Sequence, residues 1–408
     1  MRQFLQIALG ILSAIGGFVD IGDLVFNTQA GATFGFELMW VVVIGVVGII
    51  IYSEMCGRVA AISKRPVFDL VRERVGFSAG LGTLIASEIV NLLTCAAEVG
   101  GVAIVLQLLS GLPYRALILL AVVALVVVSW SLPFEWLERV FGYMGLCLLV
   151  LVVAAIKTHP SWSHVAHGFV PSVPGDNRLV YFYFVVGLLG AALTPYEVYF
   201  YSSGAVEDGW GPKDLRMNKV TAVIGYGLGA LLSVALMVLA AVVFLPRGID
   251  PAYLGTPALG VEAVLGKVGL ILALVGILFA VGGAAIETSF AGAYNVAQFF
   301  GWQWGKRERP SKAPRFALSW IVIFVLALGI VMTGYDPVKI TEYSVIFSVV
   351  ALPLTFLPIL LVANDPVYMG RYRNGRVSNA LGVAYFILIL AIAITAIPLM
   401  VITNGGTG

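Results

Sequence analysis

Two short polar patches interrupt otherwise apolar stretches of this chain: Asp20-Ile21-Gly22-Asp23 and Thr194-Pro195-Tyr196-Glu197. A hydrocarbon surrounding penalises charge and irregular backbone unless a cavity or a ligand requires them. Each patch joins carboxylate to a helix breaker, Gly22 in one and Pro195 in the other. Two helices broken at acidic positions suggest a cation site near the midplane of a bilayer. Other chemistry-bearing residues are less organised. His159, His164 and His167 share one connection, with no acidic or Cys partner to complete a ligand set, and read as a solvated loop. Cys56, Cys95 and Cys147 fall in or beside apolar segments and read as buried free thiols, not disulfides.

The elements that must position these patches are membrane helices. The chain of 408 residues is 60% hydrophobic and 11% charged, with mean hydropathy +0.99, whereas a soluble chain carries about 25% charged residues. Apolar runs of about 20 residues, long enough to cross a hydrocarbon core, recur eleven times: 4–26, 37–61, 80–109, 114–132, 138–157, 180–204, 219–245, 262–299, 316–334, 338–362 and 379–402. The chain is therefore expected to be one all-α polytopic membrane domain, with no separate soluble domain. The first run leads into Asp20, not into a small-residue cleavage site, so no cleavable signal peptide is expected. With a cytoplasmic N-terminus, the inside segments hold 18 of the 24 Lys and Arg, from Arg2 to the group Arg371, Arg373 and Arg376. The outside segments hold Arg115, Lys157, Arg178, Arg247, Lys267 and Lys339. This asymmetry predicts an inner (plasma) membrane protein with its N-terminus cytoplasmic and its C-terminus outside. The net charge of +2 gives no reason to expect nucleic acid as a partner.

Five crossings separate the first and second acidic breaks. Five is odd, so a second five-helix unit enters the membrane inverted relative to the first, as in many secondary transporters. The expected repeats are 1–157 and 180–362, with 379–402 outside them.

At these residues the chain resembles the NRAMP family of divalent-metal transporters, and most of all its NRAMP-related magnesium branch, over nearly its full length. Asp20-Ile21-Gly22-Asp23, then Thr28-Gln29-Ala30-Gly31-Ala32 and Phe34-Gly35, is similar to the family's Asp-Pro-Gly-Asn and Gln-Ala-Gly-Ala. Thr194 to Ser203 is similar to its Met-Pro-His-Asn-Leu-Tyr-Leu-His-Ser-Ser. Glu287-Thr288, Ala291-Gly292-Ala293-Tyr294 and Leu352-Pro353 are also family-like. The resemblance implies an eleven-helix, LeuT-like 5+5 inverted repeat with helices 1 and 6 broken, and alternating access.

In the family, a helix-1 Asp and Asn, a helix-6 Met sulfur and a nearby backbone carbonyl hold a transition metal. The resemblance carries these roles to Asp20, Asp23, Thr194 and Ala191, with Glu197 in place of the Asn after the helix-6 His. Thus Asn has become Asp23 and Met has become Thr194. A thioether selects soft metals, whereas carboxylate, hydroxyl, carbonyl and water suit Mg, Ca and Mn. Mg²⁺ keeps several waters and uses one or two carboxylates. The expected substrate is Mg²⁺ with Mn²⁺ beside it, although three carboxylates also suit Ca²⁺. Each residue has a plainer reading: Asp20 as a helix cap, Asp23 as a vestibule charge, Glu197 as a supporting partner, and Thr194 as the partner of a freed carbonyl.

Proton-coupled members place His in the helix-6 motif and Asp plus Glu on helix 3. Here the His positions are Tyr196 and Tyr201, and the Asp position is Cys95, while Glu98 remains. Tyrosine titrates near 10 and relays protons less readily than His near 6.5. Transport without proton coupling is expected, with Glu98 either a residual relay or a packing residue; Glu88, ten residues before it, lies on a different helix face. The alternatives are a proton-coupled Mn²⁺/Fe²⁺ importer and an amino-acid carrier on the same fold. No His-Glu-x-x-His metalloprotease motif is present, and no enzyme activity is expected. No cofactor is expected either. The expected partners are the divalent ion and the lipid bilayer, and the protein is expected to be a monomer.

Overall fold

The computed structural model describes residues 19–251 and 253–406. Among these residues the regular structure is all helical, with no strand. Ten helical stretches are long and apolar enough to cross a membrane, and each coincides with one of the expected crossings 2 to 11. Of the first crossing, α1 (Ile21–Phe34) is seen. The earlier part of the expected 4–26 run, with Arg2, lies outside the described residues.

The helices run α2 (Met39–Ser63), α3 (Val67–Val75), α4 (Phe77–Ser110), α5 (Tyr114–Ser131), α6 (Phe134–Gly145) and α7 (Leu149–Lys157), the last two joined by a 3₁₀ turn into one crossing. Then come α8 (Trp162–His167), α9 (Arg178–Ala192), α10 (Pro195–Glu207), α11 (Leu215–Val243), α12 (Thr256–Phe300), α13 (Pro314–Met332), α14 (Pro337–Asn364), α15 (Pro366–Met369) and α16 (Arg376–Ile402). Two elements differ from expectation. The amphipathic α3 fills the stretch between the second and third crossings. It buries Val67, Phe68, Leu70 and Val71 and is tied by Val67 N–H donating to Ser202 Oγ at 2.9 Å. In α12 the helix starts six residues earlier than the 262–299 run, and Gly266, at φ 69°, bends it there; glycine occupies that left-handed backbone without a Cβ clash.

Burial ranks the helices by depth in the bundle. The α9–α10 crossing is 83% buried over its most apolar window, and α16 only 17%. Against α9 and α10 pack α1, α2, α4, α12 and α14, with α16 on the flank of α9, while α5, α13 and the outer face of α16 present apolar side chains outward, toward lipid. Two glycines permit the closest approaches. A Cβ on Gly31 would sit 2.4 Å from Met237 O, and one on Gly187 2.0 Å from Phe26 Cε1. Small residues let membrane helices touch in this way.

The basic connections gather at one end of the bundle. Arg58 pairs with Glu54 and reaches Asn374 at 2.7 Å; Arg74 pairs with Asp365 at 2.9 Å; Lys64 donates to Trp210 O, and Arg72 to Phe299 O. Arg65 holds Asp69 at 2.6 Å and Glu73 at 2.7 Å, and its hydrogen bond keeps the Glu73 carboxyl below its usual range. At the same end Lys306, in the α12–α13 connection, is nearly enclosed. Its Nζ lies 2.8 Å from Glu138 Oε1 and 4.1 Å from the centre of the Phe134 ring, and its backbone N–H donates to Glu207 Oε1 at 2.8 Å. One lysine therefore joins α6 to the end of α10. Connections assigned to one side from sequence are thus in mutual contact. The three histidines are exposed, as a solvated connection requires, and Cys56, Cys95 and Cys147 are free.

Candidate cation site at the helix breaks

The two breaks meet. Asp20, with extended backbone (φ −87°, ψ 179°), stands at the N-cap of α1, and its Oδ1 accepts the Asp23 N–H at 2.9 Å. The side chain thus satisfies one of the free N–H groups that every helix start exposes. A second is satisfied from another helix: Ile21 N–H donates to Glu98 Oε1 on α4 at 2.9 Å. Glu98 therefore fixes the start of α1. Asp23 faces along the helix, where its Oδ1 accepts from Asn27 Nδ2 at 3.2 Å and from Ser233 Oγ of α11 at 3.3 Å.

In the second break α9 ends at Ala192 and α10 begins at Pro195, leaving Leu193 and Thr194 outside helical geometry. Proline causes part of this directly. The helical donor to the Ala191 carbonyl would be residue 195, and Pro195 has no N–H. The Ala191 carbonyl is left free for another partner, and Ala191 Cβ lies against Gly22 of the other break. Tyr196, one residue into α10, donates its hydroxyl to Asp20 Oδ2 at 3.2 Å and so bridges the two breaks.

Between them lies a cavity of about 10 Å³, room for one water or a bare ion. Asp20, Gly22, Thr194 and Tyr196 line it, with Thr94 from α4 and Thr341, Ser344 and Ser348 from α14. The polar part of the wall is one carboxylate and a set of hydroxyls, with no thioether, thiol or imidazole, and Ile21, Val90, Ala97, Gly190 and Val345 complete it. Thr94 Oγ1 and Ser344 Oγ are 2.7 Å apart; Ser348 Oγ and Thr194 Oγ1 make no well-formed hydrogen bond. Two helix N-termini, those of α1 and α10, bring partial positive charge to this spot, which the carboxylates offset.

Of the five residues singled out from sequence, Asp20 and Thr194 line the cavity, and Ala191 adjoins it. Asp23 and Glu197 are buried beside it but do not form its wall. Asp20 and Asp23 are within Coulombic range of Glu197, as is Glu287 on α12. Among the described residues no three His, Cys, Asp or Glu side chains converge as a metal-ligand cluster. The anionic charge is thus arranged around the cavity, not packed into a cage. Cys95 and Tyr201 lie elsewhere: Cys95 contacts Ala285 O at 3.8 Å, and Tyr201 donates to Asn218 Oδ1 at 2.9 Å.

Sequence reasoning missed the α14 contribution. Thr341, Ser344 and Ser348 follow helical spacing on one face of an otherwise apolar segment, a polar stripe legible in principle. The Tyr196–Asp20 bridge carried no such signal, because its partners are remote in sequence.

The Nramp family model, described as natural resistance-associated macrophage protein-like, matches residues 10–398. A divalent metal cation transporter MntH of Deinococcus radiodurans is 25% identical over 92% of this chain and 85% of its own length. The protein of the same name from Aeromonas hydrophila is 27% identical over 93% of both. Among solved structures, a manganese transporter of Eremococcus coleocola superposes with a TM-score of 0.81 at 19% identity, covering 97% of this chain and 86% of its own. Mhp1, a nucleobase-cation-symport-1 family transporter, superposes at 0.57 over 96% and 91%, which places the fold among LeuT-like transporters.

Proposed function

The chain belongs to the Nramp family, and from that premise we propose that it carries divalent cations inward across the membrane by alternating access, with Mg²⁺ the preferred ion and Mn²⁺ accepted. The observation that carries this reading is the wall of the cavity between the breaks: Asp20 with hydroxyls of Thr94, Thr194, Ser344 and Ser348, and no soft ligand. Hard oxygen donors favour Mg, Ca and Mn. Hydroxyls that lack full hydrogen bonds suit a cation that retains water. Asp20 is the principal ligand in this reading. Thr194 and the free Ala191 carbonyl are its neighbours on the other break, and Asp23 and Glu197 supply charge and join the ion as the helices move. Manganese is included because relatives of this chain are named for divalent metal or manganese transport.

Transport in this reading is not coupled to protons. Tyr196 and Cys95 stand where acid–base carriers would be needed, and Glu98 is engaged by the Ile21 N–H. The moving units are the inverted repeats 1–157 and 180–362, with α16 outside them. The protein acts as a monomer without a cofactor, with its N-terminus in the cytoplasm.

The test is uptake of Mg²⁺ into proteoliposomes, with Mn²⁺ and Cd²⁺ as competitors. Mg²⁺ uptake that Cd²⁺ barely inhibits, and that Asp20→Ala abolishes while the protein stays folded in detergent, is expected. Near-normal uptake by Asp20→Ala overturns the site. Strong uptake of Cd²⁺ with none of Mg²⁺ overturns the substrate.

A further inference from the structure

A second polar cluster lies away from the breaks. Glu88 and Asn91 are one turn apart on α4, and Gly292 and Asn295 one turn apart on the facing surface of α12. Glu88 is ten residues from Glu98, about 15 Å along the helix. Its polar neighbours are the carboxamides of Asn91 and Asn295, with no Lys or Arg set against it. Asn91 and Asn295 are 1% and 0% exposed; both carboxamides lie within hydrogen-bonding range of the Glu88 carboxylate, yet both polar atoms of each, together with Glu88 Oε1, make no hydrogen bond of good geometry. Buried polar atoms almost always find partners, so five in one cluster call for an occupant.

Glycine at 292 lets α12 approach this cluster closely. A Cβ there would lie 2.7 Å from Glu88 Oε2, 3.4 Å from Asn91 Nδ2 and 2.5 Å from Ile323 Cδ1 of α13. The contact is polar on the Glu88 side and apolar on the Ile323 side, and it leaves no room for a side chain at 292.

We propose that Glu88, Asn91 and Asn295 form a binding site for a small monovalent cation of the Na⁺ type, distinct from the site at the breaks. Two carboxylate oxygens and two carboxamide oxygens give four hard donors, the kind that alkali and alkaline-earth ions prefer. Charge then selects among those ions. One carboxylate neutralises one positive charge, whereas a divalent ion would leave a net charge in a low-dielectric interior, at high cost. The crowding at Gly292 favours Na⁺ over the larger K⁺. The site spans α4 and α12, which belong to different repeats, so its occupancy bears on how the halves move. That consequence for transport rests on the function proposed above; binding itself does not.

The experiment measures thermal unfolding of the full-length protein in detergent, in NaCl, KCl and choline chloride at equal ionic strength. A ligand that binds only the folded state raises the midpoint with concentration. Na⁺ is expected to give a saturable upward shift that K⁺ and choline do not. Glu88→Gln, nearly the same shape, is expected to remove that shift, and Asp20→Ala to retain it while losing the response to Mg²⁺. Should Glu88→Gln fail to fold, Asn295→Asp provides the second variant. A second carboxylate should replace the Na⁺ response with a Ca²⁺ response. A midpoint indifferent to Na⁺ against choline overturns the proposal, as does an equal shift with K⁺, a shift unchanged in Glu88→Gln, or an unchanged Na⁺ response in Asn295→Asp. Because Asp20→Ala is read separately, failure here leaves the proposed divalent site untouched, and the converse also holds.

Discussion

Asp20 does three things with one carboxylate: Oδ1 caps α1, Oδ2 takes the Tyr196 hydroxyl, and the group borders the cavity. Capping and ligation are therefore not alternatives at this residue. Tyr196 holds Asp20 in place, and a hydrogen bond to a charged group contributes about 1.5–3 kcal/mol. Tyr196→Phe is expected to weaken Mg²⁺ binding roughly tenfold, a factor corresponding to about 1.4 kcal/mol, with the fold intact. Isothermal titration checks this, and unchanged affinity would remove Tyr196 from the site. Thr194→Met with Asp23→Asn adds a soft donor and removes a charge. The Mg²⁺:Cd²⁺ uptake ratio should fall, and a constant ratio would show that neither residue meets the ion. The places of Asp20 and Thr194 at the two breaks were legible in the sequence because breakers and polar groups stand out in apolar runs, whereas Ala191 was reached only through the family resemblance. The roles of Tyr196, Glu98 and Ser233 were not, since each depends on a contact between helices far apart in sequence.

At the scale of elements, the crossings followed from apolar run length, and the second break from Pro195. The α3 helix did not, because nine residues with charges among them give too short a period to separate from a loop. The kink in α12 left no mark in the apolar run, because Gly266 lies inside the expected 262–299 segment and a single glycine does not interrupt its hydropathy. The Lys306 contact with Glu138 and Glu207 ties α6 to α10 across a connection that sequence reading treated only as a positive charge. Removing one partner of a buried pair leaves the other uncompensated, at about 3–5 kcal/mol. Lys306→Met should thus lower the thermal midpoint clearly, while Arg309→Met, on an exposed residue of the same connection, should change it little. Equal midpoints for the two variants would mean that Lys306 does not hold the helices together.

For the whole molecule, alternation of basic and non-basic connections set the topology, and the contacts of Arg74 with Asp365 and Arg72 with Phe299 join the basic connections at one end. Lipid-facing helices such as α16 show why boundaries there were easy and packing was not: an evenly apolar surface records the solvent, not the neighbours. The energetic prediction also belongs at this scale. Two charges moving inward across 100 mV release about 4.6 kcal/mol, twice the per-charge figure. Membrane potential alone can therefore drive accumulation. In proteoliposomes with a potential set by valinomycin and a pH dye inside, Mg²⁺ influx is expected without acidification beyond that of empty liposomes. Metal-dependent acidification would reveal a working proton relay.

The hydroxyl stripe of α14 bears on rate. An ion that must shed its whole water shell before passing is limited by how fast it releases water, and Mg²⁺ does so reluctantly. Thr341, Ser344 and Ser348, facing Asp20 across the cavity, offer partners to those waters instead of replacing them. The cavity as it stands has room for one water or a bare ion, so only a state in which the helices part can carry the shell largely whole, and in that state dehydration is no longer the slow step. Turnover should then be nearly the same for Mg²⁺ and for the more labile Mn²⁺, and should rise only gently with temperature.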